Sequence, residues 1–256
     1  MAPHLPKTQL SVNVNKVALL RNTRHGHIPC VIQAARLALD AGAAGITVHP
    51  RPDQRHIRPD DVERLANLLS QPPYAQHEFN IEGNPFEGDF MTLVEQAKPD
   101  QFTLVPDTPE AFTSNQGWDV IRHRDQLQDI VAQLHALGGR VSLFMDSDPK
   151  QIEQAAQIGA DRIELYTEPY AIAYAAGERE AGPTFKAFKH AASVATDAGL
   201  GINAGHDLNL ENLGLFLTIP NILEVSIGHA LIADALELGM PQAVRAYRTI
   251  TDAASW

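Results

Sequence analysis

The chain has almost no cysteine. Cys30 is the only one in 256 residues, which excludes a disulfide framework and any metal site built from thiolates. It lies in an apparent helix and reads as a small buried hydrophobe. Long apolar runs are missing too. Nothing approaches the roughly 20 residues of a membrane span, and the opening MAPHLPKTQ lacks the apolar core of a secretion signal. The expected compartment is the cytoplasm, with no membrane partner. Positive charge is also scarce. A net charge of −11 argues against nucleic acid as a partner. The positive charge that exists gathers at the front, where residues 1–58 hold eight Lys and Arg against two acids. Such a cluster is either a local anion site or a solvated face. No low-complexity tract or linker interrupts the chain, so one domain over residues 1–256 is expected.

What is present is a repeat. A helix rich in Ala and Leu, a glycine stop and a short β-branched strand recur in ARLALDAGAAGITVHP, VAQLHALGGRVSLFMD, IEQAAQIGADRIELYT and AASVATDAGLGINAGHD. Glycine ends each helix, and the apolar run that follows reads as a strand buried on both faces. Eight strand candidates can be counted: LSVNVNKVALL, GITVHP, EFNIEG, QFTLVP, RVSLFMD, RIELYT, GINAGH and LEVSIGHA. Eight βα units in about 250 residues predict an α/β fold, the (β/α)8 TIM barrel, with extra helical segments in its loops. The alternative doubly wound sheet would need a Gly-rich turn after its first strand, and none is there. Two connections are long for their task, residues 51–58 and residues 170–183. They read as ligand clamps or lids, or as a helical insertion in the second case.

In such a barrel the active site lies at the C-terminal ends of the strands. Those ends are polar here: Asn13, Asn15 and Lys16 on strand one, His49 and Arg51 on two, Glu82 on three, Asp107 after four, Asp146 on five, Glu164 and Thr167 on six, Asn203 and His206 on seven, Gly228 and His229 on eight. His49, Glu82 and His206 are the candidates for acid–base catalysis. Histidine titrates near neutrality, and a desolvated carboxylate has a raised pKa that suits a general base. The strand-seven histidine would face Glu82 across an eight-strand ring. Phosphate binding is suggested by Gly205 and Gly228 at strands seven and eight, and by Arg24, Arg51, Arg55 and His56 near strands one and two. Metal chemistry competes, because His49, His56, Glu82 and His206 are all ligand types. Strand one, however, offers no His-x-His pair, so no metal is expected.

Taken together, VNVNKVALLRNTR, AGAAGITVHPRPDQRHI, FNIEG, LVPDTPE, TSNQGWDV, RVSLFMD, IGADRIELYT, INAGHDLN and SIGHALI occur in an order and spacing that resembles the pyridoxine 5′-phosphate synthase family. The resemblance implies a TIM barrel that condenses 1-deoxy-D-xylulose 5-phosphate with 3-amino-2-oxopropyl phosphate, giving pyridoxine 5′-phosphate, phosphate and water. It implies His49 and Glu82 as proton acceptors and His206 as proton donor. It implies that Asn13, Arg24, Gly228 and His229 hold the amino-ketone phosphate, and that Arg51, His56 and Thr113 hold the sugar phosphate. It further implies no metal or organic cofactor, and a homo-octamer of dimers in which an Arg from a neighbour completes a site. The chain departs from the family pattern at Asn15-Lys16, where Asp-His is common, and at Glu168 and Asp207, where Gly is common. Asn15 and Lys16 fall in the sugar-phosphate site, and Asp207 in a backbone phosphate contact.

Two other readings compete. One is a phosphosugar lyase or aldolase with Lys16 as imine former. The other is a ligand sensor that kept the barrel and lost the chemistry.

Overall fold

The computed structural model describes residues 7–108 and 111–254, so part of the amino-terminal stretch and residues 109 and 110 lie outside the described residues. Eight parallel strands close into a barrel in chain order: β1 (Gln9–Asn13), β2 (Gly45–Val48), β3 (Glu78–Gly83), β4 (Gln101–Leu104), β5 (Arg140–Met145), β6 (Arg162–Tyr166), β7 (Gly201–Gly205) and β8 (Ile222–Ile227). β8 closes on β1 through Gln9↔Glu224 to Val12↔Ile227. The expected TIM barrel is the observed fold.

The helices are α1 (Asn15–Asn22), α2 (Val31–Asp40), α3 (Pro59–Leu69), α4 (Phe90–Ala97), α5 (Arg124–Ala136), α6 (Pro149–Gln157), α7 (Glu168–Ala176), α8 (Glu178–Asp197), α9 (Leu213–Phe216), α10 (His229–Leu238) and α11 (Met240–Ala253). Local chemistry starts and stops them. α3 begins with Pro59, and the Asp61 carboxylate accepts the Arg58 backbone N–H at 3.0 Å. α6 begins with Pro149 behind Asp148, whose carboxylate accepts the Lys150 N–H at 2.9 Å. α2 buries Val31, Ile32, Ala34, Ala35, Ala38 and Leu39, one stripe at helical spacing. After it the chain turns at Gly42 with φ +100°, a conformation costly for any residue with a Cβ.

Two expectations change and one alternative is decided. The first strand candidate ends at Asn13, and NKVALL is the start of α1, so Asn15 and Lys16 sit on a helix. Residues 170–183 are the helical insertion rather than a loop: α7 and α8 meet there, broken only at Gly177. Cys30 precedes α2 as its N-cap and is half-buried. Residues 51–58, by contrast, do form an irregular connection.

The strands are not apolar on both faces. Outward residues such as Val12, Ile46, Ile81, Leu104, Leu143, Ile163, Ile202 and Val225 join the large core beneath the helices. The inward face carries Ser11, Thr47, Asn80, Gln101, Thr103, Ser142, Glu164, Asn203 and Glu224, all buried. These bond across the lumen. Asn80 bridges Thr47 and Thr103 at 3.3 and 3.0 Å, and Asn203 of β7 reaches Gln101 of β4 at 3.2 Å. Bulky aliphatic layers usually fill such a barrel. Here they are replaced by a polar column with a small apolar cluster, Val105, Phe144 and Tyr166.

Candidate active site

Glu82 is the last side chain but one on β3, buried to 9% exposure. Burial, with Asp107 nearby, pushes its carboxyl up to about 8. A carboxyl poised there can hold or release a proton near neutral pH. Asn13 at the end of β1 donates to it through Nδ2 at 3.3 Å. Asn13 also packs against Gly228, where an added Cβ would stand only 3.1 Å from the Asn13 Cβ. Asn13 therefore orients the Glu82 carboxyl and lines the β8 end of the mouth.

His49 follows β2. Burial, then His56 and Arg51, lower its pKa well below the ordinary value, so the ring stays neutral and can accept a proton. Its backbone N–H donates to Asn15 Oδ1 at 2.9 Å, and the Asn15 N–H donates to Asn13 Oδ1 at 3.0 Å. Asn15 thus pins the β2 turn with its side chain. His56 is neutral for the same reason: burial, then Arg51 and Lys16, bring it to about 4. Its Nδ1 accepts the Ile57 N–H at 3.0 Å. Lys16, in the first turn of α1, acts at longer range on both His56 and Asp207.

His206 follows β7, opposite β3 in the ring. Its φ is +80° and that of Asp207 is +63°, an uncommon left-handed pair of non-glycine residues. Thr167 imposes this turn: its hydroxyl donates to the carbonyls of Gly205 and His206 at 2.7 and 2.5 Å. His206 Nε2 shares a 3.1 Å hydrogen bond with Thr113 Oγ1, and the Tyr166 ring stands edge-on at 5.1 Å.

Arg51 differs from the expected free phosphate ligand. It is 4% exposed and bonds Asp107 Oδ2 at 2.6 Å and the carbonyls of Thr108 and Ala111 at 3.0 and 2.7 Å. Arg55 donates to the carbonyls of Ala111 and Phe112. The β2 connection therefore clamps the segment after β4 over the mouth. The space left among His49, Arg51, Asn84, Asp107 and Thr108 is about 10 Å³, no more than one water needs. Arg24 is exposed and makes no hydrogen bond to the other candidates among the described residues. Gly228 caps α10, and His229 begins that helix, exposed, rather than ending β8.

One group named among the polar strand ends was given no role there. Glu164 points into the lumen from β6, 3% exposed, with Oε2 buried and unpaired. Burial, then Glu82 and Glu224, hold its carboxyl well above the usual range. It fits because position 205 has no side chain: a Cβ there would overlap the Glu164 carboxyl. The signal lay in RIELY, where a glutamate interrupts the apolar run of a strand.

The chain matches, over residues 10–253, the family described as pyridoxal phosphate biosynthesis protein PdxJ. It belongs to that family. Among its relatives, the pyridoxine 5′-phosphate synthase of Albidiferax ferrireducens is 55% identical over 245 residues, covering 94% of this chain and 96% of that one. The Porphyromonas gingivalis protein of the same name is 55% identical over 246 residues, with 94% and 98% covered. Likeness to solved structures is of fold alone. Tryptophan synthase from M. tuberculosis has a TM-score of 0.64 at 11% identity, covering 98% of this chain and 93% of that chain. Phosphoribosyl anthranilate isomerase from Thermotoga maritima has 0.55 at 12%, covering 96% and 98%. Within the family's barrel, Asn13, His49, Glu82, Thr113 and His206 share one mouth, Asn15 and Arg51 brace its walls, and Arg24 stands apart.

Proposed function

We propose that the chain is an enzyme that condenses 1-deoxy-D-xylulose 5-phosphate with 3-amino-2-oxopropyl phosphate to pyridoxine 5′-phosphate, phosphate and water. The observation that carries the assignment of roles is the Glu82 carboxyl, poised at about 8, across the ring from His206. Imine formation, two enolisations, elimination of phosphate and water, and ring closure all move protons on both faces of a flattening intermediate. Neutral His49 and ionised Glu82 accept protons. His206 donates. Glu164, held protonated beside Glu82, gives a hydrogen bond to developing negative charge. Each such group is worth typically 10²–10⁴-fold in rate.

The amino-ketone phosphate is assigned to Asn13, Gly228, His229, Arg24 and the backbone at Asp207, the sugar phosphate to His56, Thr113, Lys16, Asn15 and Arg51. For Arg51 this requires that its guanidinium leave Asp107 and the Thr108 and Ala111 carbonyls, and for Thr113 that its hydroxyl leave His206. No metal or organic cofactor is assigned to the chemistry. The working form is assigned as a cytoplasmic homo-octamer of dimers, a reading supported by the family pattern in the sequence; no helix among the described residues is long and apolar enough to cross a membrane.

Purified protein given both substrates should release phosphate and form a pyridinol chromophore. His206→Ala should lower turnover at least ~100-fold. Failure to form product at any pH from 6 to 9 overturns the assignment, and near-normal turnover in the variant removes His206 from the mechanism.

A further inference from the structure

The irregular connection after β2, residues 51–58, is held in place from α1. The Asn22 side chain, at the end of that helix, donates through Nδ2 to the carbonyls of Gln54, Arg55 and His56 at 3.3, 3.1 and 2.8 Å. The carbonyls of Gln54 and His56 accept no backbone N–H among the described residues, so the Asn22 amide supplies what a strand or helix would. The hold passes from backbone to side chains. His56 Nδ1 accepts the Ile57 N–H at 3.0 Å, which leaves Nε2 as the donor of the neutral ring, and that ring stands 6.1 Å from the ring of His49. Arg55 reaches from the same stretch to the carbonyls of Ala111 and Phe112 at 3.1 and 2.8 Å.

Asn22 is itself set by a buried ion pair. Its Oδ1 accepts from Arg21 Nε and Nη2 at 3.1 and 3.0 Å. Arg21 is 6% exposed and meets the fully buried Asp61 of α3 through two parallel contacts, at 2.5 and 2.9 Å. It also gives the His56 carbonyl an N–H at 3.2 Å. The amide therefore has one orientation. Turned over, it would press its oxygen against three carbonyls and its NH2 against a guanidinium. An ion pair that only fastened α1 to α3 would need neither Asn22 nor the His56 carbonyl. The planar fork of Arg21 is what lets one side chain meet a carboxylate, an amide oxygen and a backbone carbonyl together.

We propose that Asn22, oriented by Arg21 and Asp61, is a positioning residue for substrate binding: it fixes the backbone of residues 54–56, and through it the His56 imidazole and the Arg55 clamp, and so sets the affinity for the phosphate ester held at His56. None of the three touches the ester. Their effect falls on the sugar phosphate, because the connection they hold carries Arg51 and His56, whereas Asn13 and Gly228 stand at the β1–β8 side of the mouth. The choice of ester rests on the assignment of the sugar phosphate to His56; the hold on residues 54–56 does not.

The test is Asn22→Asp in the full chain. Asn22 is only half-buried, and a carboxylate there keeps the contact with Arg21 while turning an oxygen on the three carbonyls. The KM for 1-deoxy-D-xylulose 5-phosphate should rise at least ~10-fold, while kcat and the KM for 3-amino-2-oxopropyl phosphate stay within about threefold of wild type. Arg21→Lys keeps a charge opposite Asp61 without the fork and should move the same KM in the same direction. Should that variant fail to fold, Asn22→Asp decides alone. Hydrogen exchange read by mass spectrometry should quicken over residues 51–58 of Asn22→Asp and not in the strands. An unchanged KM for the sugar phosphate overturns the proposal. So does a lowered melting temperature with kcat and both KM values moving together, the mark of a merely structural role. Should the wild type form no pyridinol product, the synthase assignment falls and exchange decides: quickening confined to residues 51–58 upholds the positioning role, and exchange at the wild-type rate removes it.

Discussion

At the scale of single residues, the site works by separating what each titratable group does near neutrality. Burial drives His49 and His56 downward and Glu82 and Glu164 upward, so the histidines stay neutral and the carboxyls hold protons. If Glu82 acts as a base, only its ionised fraction works. The rate should therefore climb with pH through the upper side of neutrality and level off above about 8. His49 should add no limb there, because it is already neutral throughout. The pH dependence of kcat/KM for wild type and Glu82→Gln decides this. The variant should be at least ~100-fold slower and lose the rise. A wild-type rate independent of pH between 6.5 and 8.5 would contradict the assignment. The candidates His49, Glu82 and His206 were legible because a polar residue ending an apolar strand stands out in one dimension. Arg51 was not legible in its present role. Nothing in HPRPDQ reveals that the guanidinium turns sideways to Asp107 and two carbonyls instead of facing a ligand.

At the scale of elements, the eight strands were legible from glycine stops and β-branched runs, and their ends were right within a residue or two except at β8, where the candidate ran three residues past Ile227 into α10, and at β1. There the apolar pattern of LSVNVNKVALL runs on without a breaker, and only tertiary pairing ends the strand at Asn13. Residues 170–183 left a lid and a helical insertion both open, and the second is what stands there: a helix that runs through Gly182 and breaks only at Gly177. β6 and β7 show what pairing adds. Their register sets Glu164 against Asn203 and Tyr166 against Gly205, and the bare glycine makes space for the Glu164 carboxyl. Gly205→Ala should push that carboxyl away from the lumen axis, lowering kcat well beyond any change in KM. Overpacking of this kind also costs about 1–3 kcal/mol of stability. Steady-state kinetics beside a thermal melt separate the two. A folded variant with unchanged kcat would show that the Glu164 position does not matter to turnover.

At the scale of the whole molecule, the barrel stores buried carboxyls in its lumen, where most barrels store aliphatic side chains. Glu82, Glu164 and Glu224 are all held protonated by burial above the ordinary carboxyl range, Glu82 and Glu224 to about 8. On unfolding each would release its proton at an ordinary value near 4.5. Between those limits the folded chain binds more protons than the unfolded one, so stability falls as pH rises. His49 and His56 act oppositely, because their lowered pKa values make the unfolded chain bind more protons below about 6.5. From pH 4.5 to 6.5 the two sets offset each other. From 6.5 to 8 only the carboxyls remain, and each costs up to about 1.4 kcal/mol per pH unit. The melting temperature should therefore decline across pH 6.5–8, against the flat behaviour of a protein whose acids are exposed. Glu224→Gln mimics the protonated acid in shape and charge, far from the mouth. It should already raise stability at pH 6.5, by up to about 2–3 kcal/mol because the unfolded glutamate ionises from 4.5 upward, and make the decline toward pH 8 shallower. A variant whose melting curve tracks the wild type at every pH would show that Glu224 is already ionised in the lumen, neutralised by the Arg162 guanidinium 3.3 Å from its Oε2.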